Sequence, residues 1–299
     1  MTLRIALFAA LFLFAFAWNA PAHGPGAHRH KPEEEHDHYH PTEESGSGKS
    51  FKTSHDHEQG RQWGASLATG WESRHIHYGV NETGTSGAYT TEVSLWYQNL
   101  MIGAWSGFGT GNSFEEWDFT VSYNLDLGPV FFIPGYNFRY SPGIVEQGHS
   151  HEEEGHDDHD EHDHEEHEEE GHTHNTYSNE LFFVLGTDRI PYVTPNMFFI
   201  WDLNNTPGAF MELRLDGDVP VWKDVLSLQP YALLGLNFGY NTQDYFGWNN
   251  VQFGVEATWK INKTVSVFGG VNYSIALTAL EDIDQGNEVW ANAGVSLTY

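Results

Sequence analysis

Cysteine is absent from the 299-residue chain, which excludes disulfides, thiolate metal ligands and cysteine nucleophiles. Basic residues are also scarce: 13 Lys and Arg stand against 42 Asp and Glu, for a formal charge of −29. So negative a chain repels phosphate backbones, and we expect no nucleic-acid partner. Charged residues nevertheless make up only 18% of the chain, while aromatic residues make up 15%. The acidic residues must therefore be concentrated in particular segments.

Long apolar runs are missing after the first 22 residues. Residues 1–22 combine Arg4, an apolar run over Ile5–Trp18 and a small-residue cleavage site, which is typical of a secretory signal peptide. Later apolar runs such as Val130–Pro134 fall far short of the roughly 18 residues that a membrane-spanning helix needs. An exported chain of this kind is periplasmic, secreted, or a closed β-barrel in an outer membrane.

Most of the remaining chain alternates apolar and polar residues with a period of two, which indicates β-strands with two unlike faces. The segments Glu116–Leu127, Val251–Ile261 and Val289–Tyr299 show this pattern, with Trp290 as an exception on the polar face of the last one. The predicted strands run about 10 to 13 residues, longer than a typical globular strand and close to a tilted membrane strand. We predict about twelve strands, which begin near Trp63, Tyr89, Leu100, Glu116, Val130, Tyr177, Pro195, Gly208, Leu226, Asn250, Thr264 and Glu288.

Connection lengths and aromatic positions favour a membrane barrel over the alternative, a secreted β-sandwich, whose apolar faces pack on each other. Tight turns at Asn99, Leu127–Pro129 and Asn262–Lys263 alternate with longer loops, as in outer-membrane barrels. Two predicted inner turns, Gly186–Thr194 and Gly217–Val225, are long for that role. Aromatic residues recur near strand ends, as girdles at two membrane interfaces require; they are Trp63, Trp71, Trp117, Tyr140, Trp201, Tyr240, Trp259 and Tyr299.

The sequence therefore predicts an all-β protein: a transmembrane antiparallel up-and-down β-barrel of about twelve strands over residues 62–299, in the outer membrane of a Gram-negative bacterium. Residues 23–61 form a polar, His-rich leader that cannot bury enough apolar surface to fold, and we expect it to be disordered in the periplasm. Residues 146–176 form a disordered His/Asp/Glu-rich extracellular loop between the fifth and sixth strands. Glu146–His174 alone holds fourteen carboxylates and nine histidines.

The order of aromatic-rich hairpins, and the half of the chain from Asn179-Glu180 to Leu297-Thr298-Tyr299, resembles the bacterial TorF-like outer-membrane porin family. The resemblance covers roughly Trp63–Tyr299 and implies a β-barrel that forms a channel. It also implies that the last strand, which ends in the aromatic Tyr299, is the signal read by the barrel-assembly machinery. The His-rich segments are not part of the family's common pattern.

Acidic residues outnumber basic ones on the polar faces of the predicted strands, and carboxylates that line a pore favour cations. The alternative is ordinary ion pairing across the lumen of a plugged barrel. Inward Trp96, Trp105, Phe131, Phe182 and Phe198 should narrow the pathway. The residues expected to line the lumen and set its selectivity are Glu92, Glu116, Asp118, Glu180, Asp202, Glu212, Glu256, Arg74, Arg139 and Arg214, with Glu72 and Lys260 on the same faces.

Seventeen of the 19 histidines lie in the leader and the loop, mostly as His-x-His pairs beside carboxylates. Neutral imidazole and carboxylate oxygen are ligands for zinc, copper and nickel, so we expect weak, exchangeable binding of these ions. The alternatives are solvated acidic tails and pH sensing, and a mature terminus at His23 could chelate copper. The expected ligands are His149, His151, His156, His159, His162, His164, His167, His172, His174, His28, His30, His36, His38, His40, His55 and His57.

These patterns predict a porin-like, cation-preferring channel for small solutes, with His-rich segments that capture divalent metal for uptake. The alternative is a non-conducting barrel that binds or buffers metal, or acts as a receptor. The expected partners are the outer-membrane lipid bilayer and small solutes or metal ions, without an organic cofactor. We expect no enzyme, because the barrel offers only His75 and His77 and no serine motif to pair with them. Loop packing or an added metal ligand is the expected role of these two histidines.

Overall fold

The computed structural model describes residues 63–142 and 176–299, apart from positions 206, 223, 224, 243 and 244. The expected signal peptide (1–22), the leader (23–61) and the His-rich loop up to residue 175 lie outside the described residues. No helix in the described ranges is long and apolar enough to span a membrane.

Twelve long strands, each 9 to 15 residues, form the body of the fold. They are β1 (Trp63–Glu72), β4 (Ala88–Tyr97), β5 (Leu100–Gly109), β6 (Glu115–Tyr123), β8 (Phe131–Ser141), β9 (Thr176–Gly186), β10 (Val193–Asp202), β11 (Gly208–Gly217), β13 (Leu226–Phe238), β14 (Phe246–Lys260), β15 (Val265–Ala276) and β16 (Glu288–Thr298). Short elements lie in the connections: β2 (Ile76–His77), β3 (Val80–Asn81), β7 (Leu125–Asp126), β12 (Val219–Trp222) and the one-turn helix α1 (Thr278–Glu281).

Each long strand pairs antiparallel with the long strands before and after it in sequence, and β1 pairs with β16 to close the ring. The closing seam runs from Ser66–Thr298 to Glu72–Asn292. At the seam the ring of Trp63 lies 5.7 Å from that of Tyr299, and Ala65 and Tyr299 exchange two backbone hydrogen bonds. The predicted all-β, twelve-stranded, up-and-down barrel is confirmed, and its closure leaves no unpaired edge between the long strands.

The outward side chains are apolar along the middle of the strands, for example Leu95, Ile102 and Val271, each more than half exposed. Aromatic side chains follow at both ends, as the girdles of a membrane barrel require. One ring contains Trp63, Tyr97, Tyr123, Trp259 and Tyr299, and the other contains Trp71, Tyr89, Phe108, Tyr177, Trp201 and Phe246.

Tyr240 does not belong to either girdle, contrary to the sequence prediction. It lies after the end of β13, where its backbone N–H donates to Asn237 Oδ1, and its hydroxyl donates to Glu180 on the inner wall. The backbone turns over the mouth at this point, so the side chain enters the lumen and does not reach the lipid-facing surface.

The two ends of the barrel differ. One end, here called the turn end, carries both described chain ends, Trp63 and Tyr299, and the connections 98–99, 124–130, 187–192, 218–225 and 261–264. The other, the loop end, carries the connections 73–87, 110–114, 142–175, 203–207, 239–245 and 277–287. The expected alternation of connections is present, including two long turns after β9 and β11.

The lumen has two unlike walls. On β8–β11 the inward side chains Phe131, Ile133, Phe182, Phe198 and Phe210 are buried and form a hydrophobic cluster inside the barrel. The opposite wall is polar; its inward positions include Thr90, Glu92, Ser94, Gln252, Glu256, Asn272 and Asn292. An apolar inner wall is stable only where other side chains cover it, and the covering residues come from the loop after β1.

Candidate functional site

The connection from β1 to β4, residues 73–87, folds inward and is here called the plug loop. Its residues His75, Ile76, His77 and Tyr78 are at most 2% exposed. The ring of His75 stacks on Trp105 of β5 at 5.3 Å, whereas the ring of Tyr78 lies 5.9 Å from Phe198 of β10. Because β10 is six strands from β1 in either direction around the ring, the plug loop crosses the full width of the lumen.

A tight hairpin forms the tip of the plug loop. β2 and β3 pair through Ile76–Asn81 and His77–Val80, which leaves Tyr78 and Gly79 as the two turn residues. Both have positive φ, 46° and 86°, as a type I′ turn requires. A Cβ on Gly79 would lie 2.8 Å from Asn249 Nδ2, so this position needs glycine for conformation and for space. Tyr78 is held in an unfavourable backbone region by the packing of its ring.

Amide side chains from two other loop-end segments hold this tip. Asn241 Nδ2 and Asn249 Nδ2 donate to the Tyr78 carbonyl at 2.9 Å and 2.8 Å. Gln285 Nε2 donates to the Gly79 carbonyl, and Gln285 Oε1 accepts from the backbone N–H of Asn81 at 2.8 Å. These hydrogen bonds satisfy backbone groups that are buried away from bulk water. They also hold the plug loop in the lumen.

Two histidines and several carboxylates meet under the plug loop. His75 Nδ1 lies 2.5 Å from Glu72 Oε1, and His75 Nε2 lies 3.6 Å from Glu82 Oε2. His77 Nδ1 is 3.3 Å from Glu82 Oε1. One potential ligand atom from each of His75, His77, Glu82 and Glu116 lies within 4.8 Å of all the others. We call His75, His77, Glu82 and Glu116 the His–Glu cluster.

Arg139 of β8 is the cation of this region. Its Nη2 lies 2.6 Å from His77 Nε2 and 3.4 Å from Glu180 Oε1, while its Nε lies 3.9 Å from Glu116 and 3.8 Å from Asp118. All of these carboxylates are nearly inaccessible to solvent. Buried carboxylates stay charged only beside compensating positive charge. One guanidinium serves several of them, so the region keeps an excess of acidic groups.

Hydrogen bonds extend the network to Tyr240. Arg139 Nη2 donates to the Tyr240 hydroxyl at 3.1 Å, and that hydroxyl donates to Glu180 Oε1 at 2.5 Å. Burial raises the pKa of Tyr240 well above its usual value, so the hydroxyl remains protonated and acts as a donor. Asn137 Nδ2 donates to the other Glu180 oxygen at 2.8 Å. Glu180 is thereby fixed on the inner wall as a hydrogen-bonded carboxylate.

The other residues expected in the lumen are distributed along its length. Glu92 accepts from Ser94 at 2.8 Å, Asp202 accepts from Ser178 at 2.7 Å, and Glu256 accepts from Asn292 at 3.3 Å. Glu212 and Arg214 lie on β11, where Arg214 Nε bonds Asp216 at 2.5 Å and its guanidinium covers the Tyr231 ring. Arg74 lies beyond the end of β1 and pairs with Glu288. Glu116, Asp118, Glu180 and Arg139 are brought together, and Glu212 and Arg214 lie in a separate group with Asp216 and Tyr231.

The expected histidine ligands in the leader and the His-rich loop lie outside the described residues. Their attachment points are nevertheless defined. Ser141 and Thr176, on either side of the His-rich loop, pair with each other at the loop end, the end that holds the His–Glu cluster. The leader joins β1 at Trp63, at the turn end.

His75 and His77 lie where loop packing and an added metal ligand, the two roles expected from the sequence, are both compatible with their positions. Glu82, Asn137 and Asn249 also belong to the site, although none of them was predicted. Two features of the sequence point to Glu82. It follows the His75-x-His77 pair by only a few residues, and the same loop contains Ile76 and Tyr78, which are too apolar to remain in solvent.

A closed barrel with an apolar exterior, aromatic girdles and a polar, carboxylate-rich interior defines the class of transmembrane β-barrels. No known protein family matches the sequence, and no curated protein is similar to it in sequence. Solved structures similar in architecture include the KdgM porin, with 8% identity, a TM-score of 0.47 and coverage of 78% of this chain and 99% of that one.

The NanC porin is similar at 10% identity and a TM-score of 0.48, with 78% and 98% of the two chains covered. The translocator domain of the autotransporter NalP from Neisseria meningitidis is similar at 11% identity and a TM-score of 0.43, with 80% and 89% covered. At such scores the likeness does not distinguish between channels and other barrels.

Proposed function

We propose that this chain is an outer-membrane, cation-preferring channel for small solutes, whose His-rich segments capture divalent metal ions for uptake. The observation that carries the proposal is the charge of the inner surface. Among the described residues, the inward and mouth carboxylates include Glu72, Glu82, Glu92, Glu116, Asp118, Glu180, Asp202, Glu212, Asp216, Glu256 and Glu288, against the cations Arg74, Arg139, Arg214 and Lys260. Fixed negative charge in a confined space concentrates cations and repels anions.

The polar wall offers the path for such ions. Inward side chains on β4 and β14, including Glu92, Thr258 and Lys260, remain partly exposed towards the turn end. The aromatic wall on β8–β11 is instead packed under the plug loop. A cation would therefore enter beside the plug loop and pass along the polar wall, where Glu92 is partly exposed and Glu256, only 7% exposed, adds fixed negative charge.

The His-rich loop would supply the ions. It leaves the barrel at Ser141 and returns at Thr176, so both of its attachment points lie at the mouth to which it would deliver ions. With the loop end outside and the turn end in the periplasm, the usual orientation of such barrels, the His-rich leader would receive ions on the inner side. Ordering a free segment around each ion costs conformational entropy, which opposes tight binding. Weakly bound ions can be released from the loop into the barrel.

Planar-bilayer conductance in asymmetric salt tests the channel. The refolded full-length chain should give a cation-selective current that micromolar zinc, copper or nickel alters. A matched chain in which the nine loop histidines are replaced by asparagine should conduct but lose the metal response, and cells that carry it should take up less metal. An anion-selective current would contradict the proposal, and so would unchanged metal uptake by cells in which the histidine-to-asparagine variant is correctly assembled.

One observation favours a second function, a non-conducting barrel that binds or buffers metal. The plug loop crosses the whole lumen and is held at its tip by Asn241, Asn249 and Gln285. A barrel closed in this way would hold metal at the cell surface and show no single-channel current. The same bilayer experiment, combined with a measurement of metal bound to whole cells, separates the two functions.

A further inference from the structure

Outside the His-rich segments, the only two histidines of the chain lie in one buried cluster. His75 and His77 are at most 2% exposed, although histidine is usually found at intermediate burial. Glu72, Glu82 and Glu116 surround them, and Asp118 and Glu180 lie beside Arg139. Among the described residues, Arg139 faces several of these carboxylates while the nearby Arg74 pairs with Glu288, so acidic groups outnumber basic ones in this part of the lumen.

We propose that His75, His77, Glu82 and Glu116 form a buried binding site for one divalent transition-metal ion of the zinc class, which fastens the plug loop to β6. Two imidazole nitrogens and two carboxylate oxygens are a ligand set for zinc, copper or nickel, and they disfavour calcium and magnesium, which prefer oxygen ligands. The inference deepens the proposed function and rests on it for the supply of the ion.

The distances suit a tetrahedral ion after a small contraction. Bonds of about 2.0 Å place tetrahedral ligand atoms roughly 3.3 Å apart. The four ligand atoms of the His–Glu cluster are within 4.8 Å of one another, so each has to move inward by less than about 1 Å. Three of the four residues come from the plug loop, which is a connection between strands, and its side chains can make this adjustment.

Glu72 prepares His75 for this role. Its Oε1 lies 2.5 Å from His75 Nδ1, so Nδ1 carries the proton and donates it to the carboxylate. Nε2 then holds the lone pair and faces Glu82 at 3.6 Å. A carboxylate behind the ring of a coordinating histidine is the usual arrangement in zinc sites, where it fixes the tautomer and raises the basicity of the ligand nitrogen.

Arg139 would compete with a metal ion for His77. It donates to His77 Nε2 at 2.6 Å, which places the ring proton on Nδ1, the atom that faces Glu82. An ion at Nδ1 would need the lone pair of that nitrogen, so the neutral ring would carry its proton on Nε2, and Nε2 would no longer accept from Arg139. The guanidinium therefore has to withdraw from His77 towards Asp118 and Glu180, which are already within 3.8 Å. Metal binding and the position of Arg139 are coupled.

The experiment uses the full-length chain with the seventeen histidines of the leader and loop replaced by asparagine, so that only His75 and His77 remain. Cobalt absorption and zinc competition against a chromophoric chelator measure binding to the refolded barrel. We expect one equivalent per chain, with a tetrahedral cobalt spectrum. His75→Asn removes a ligand and should therefore reduce the affinity by more than the roughly 10- to 100-fold that loss of a residue behind a ligand costs. Glu281→Gln, which removes an exposed carboxylate at the same end, should bind normally.

Heat-modifiable migration in gels reports barrel folding for each variant. Should His75→Asn fail to fold, Glu116→Gln on β6 removes a ligand without changing side-chain size. No binding by the parent chain, or equal binding by the folded ligand variants, would overturn the site. Bilayer conductance of the same samples keeps the two proposals apart: current without bound metal refutes the site alone, and bound metal without current refutes the channel alone.

Discussion

Tyr78 of the plug loop packs against Phe210 of β11, with 4.8 Å between the ring centroids. Phe210 is fully buried, and Tyr240 joins the pair with its ring perpendicular to that of Tyr78 at 5.3 Å. A residue that follows the first strand thus completes the hydrophobic cluster on the opposite wall. The plug loop is therefore part of the packed interior, and its position decides how much of the lumen is open.

Replacing Tyr78 by alanine should release the plug loop. Removing a buried aromatic side chain costs about 3 kcal/mol or more, and the freed loop should widen the path. We expect a lower urea midpoint for the vesicle-inserted barrel and a larger single-channel conductance. Tyr78→Phe keeps the ring and should stay close to the parent in both measurements. Unchanged conductance of a folded Tyr78→Ala barrel would show that the plug loop does not limit the path.

Gly79→Ala tests the tip of the plug loop. The φ of 86° strains any L-residue by about 1 kcal/mol, and the new Cβ would also meet Asn249 and Asn250. Gly84→Ala is a matched control, because Gly84 has a φ of 61° and nothing within 4 Å of its Cβ. Limited proteolysis from the loop end should cut Gly79→Ala within the plug loop faster than Gly84→Ala. Equal cutting rates would mean that the contacts of the tip do not hold it.

Neutralising the polar wall should weaken cation preference. Glu256→Gln keeps the size of the side chain and its contact with Asn292 while removing one fixed charge. The cation-to-anion permeability ratio should fall by about twofold, and Glu92→Gln should act in the same direction. Glu281→Gln, exposed on α1, provides the comparison. A reversal potential that does not move in either lumen variant argues against a path along this wall.

Arg139→Gln should increase the affinity of the His–Glu cluster for zinc. A unit positive charge a few ångströms from a divalent ion opposes binding even at a high effective dielectric constant, so its loss should raise affinity by about tenfold or more. Without metal, the same variant leaves Glu116, Asp118 and Glu180 uncompensated and should be less stable. Zinc should then restore its thermal stability more than it stabilises the parent. A variant that is destabilised but indifferent to zinc would indicate that Arg139 serves packing and charge balance alone.

Tyr299 should matter for assembly more than for the stability of the finished barrel. Its backbone closes the β1–β16 seam with Ala65, and its ring contacts Trp63. If the last strand is the signal for the barrel-assembly machinery, Tyr299→Ala should lower the amount of barrel in the outer membrane while detergent refolding proceeds normally. Tyr299→Phe keeps an aromatic end and should assemble like the parent. Normal membrane levels of Tyr299→Ala would remove this role.

Strand positions were predictable because the exterior of the barrel faces lipid and the interior is largely polar, which imposes a period of two. The predicted starts at Leu100, Gly208 and Glu288 coincide with the observed ones. The prediction for β14 failed by four residues: the strand begins at Phe246, not Asn250, because a bulge places Asn249 and Asn250 both inside. The extra residue of the bulge reverses the alternation of inward and outward side chains. The residues before the bulge therefore lack the polarity pattern of the residues after it, and the sequence did not indicate that they belong to the same strand.

β10 begins at Val193, two residues before its predicted start near Pro195. β9 ends opposite Asn196, at Gly186, but Val193 and Thr194 continue to pair with Gly217 and Asp216 of β11. β10 therefore extends beyond its pairing with β9 while it remains paired with β11. No local feature of the sequence marks a strand start of this kind.

Local patterns of polarity and connection length specify the number of strands, their antiparallel order, the carboxylate excess of the interior and the end of the barrel at which the His-rich loop is attached. The entry of residues 73–87 into the lumen has no such local origin. That path depends on an apolar wall from β8–β11, contributed by residues more than fifty positions later, which Tyr78 covers. Once the loop is drawn in to bury this wall, His75, His77 and Glu82 meet Glu116, a neighbourhood that no short stretch of sequence contains.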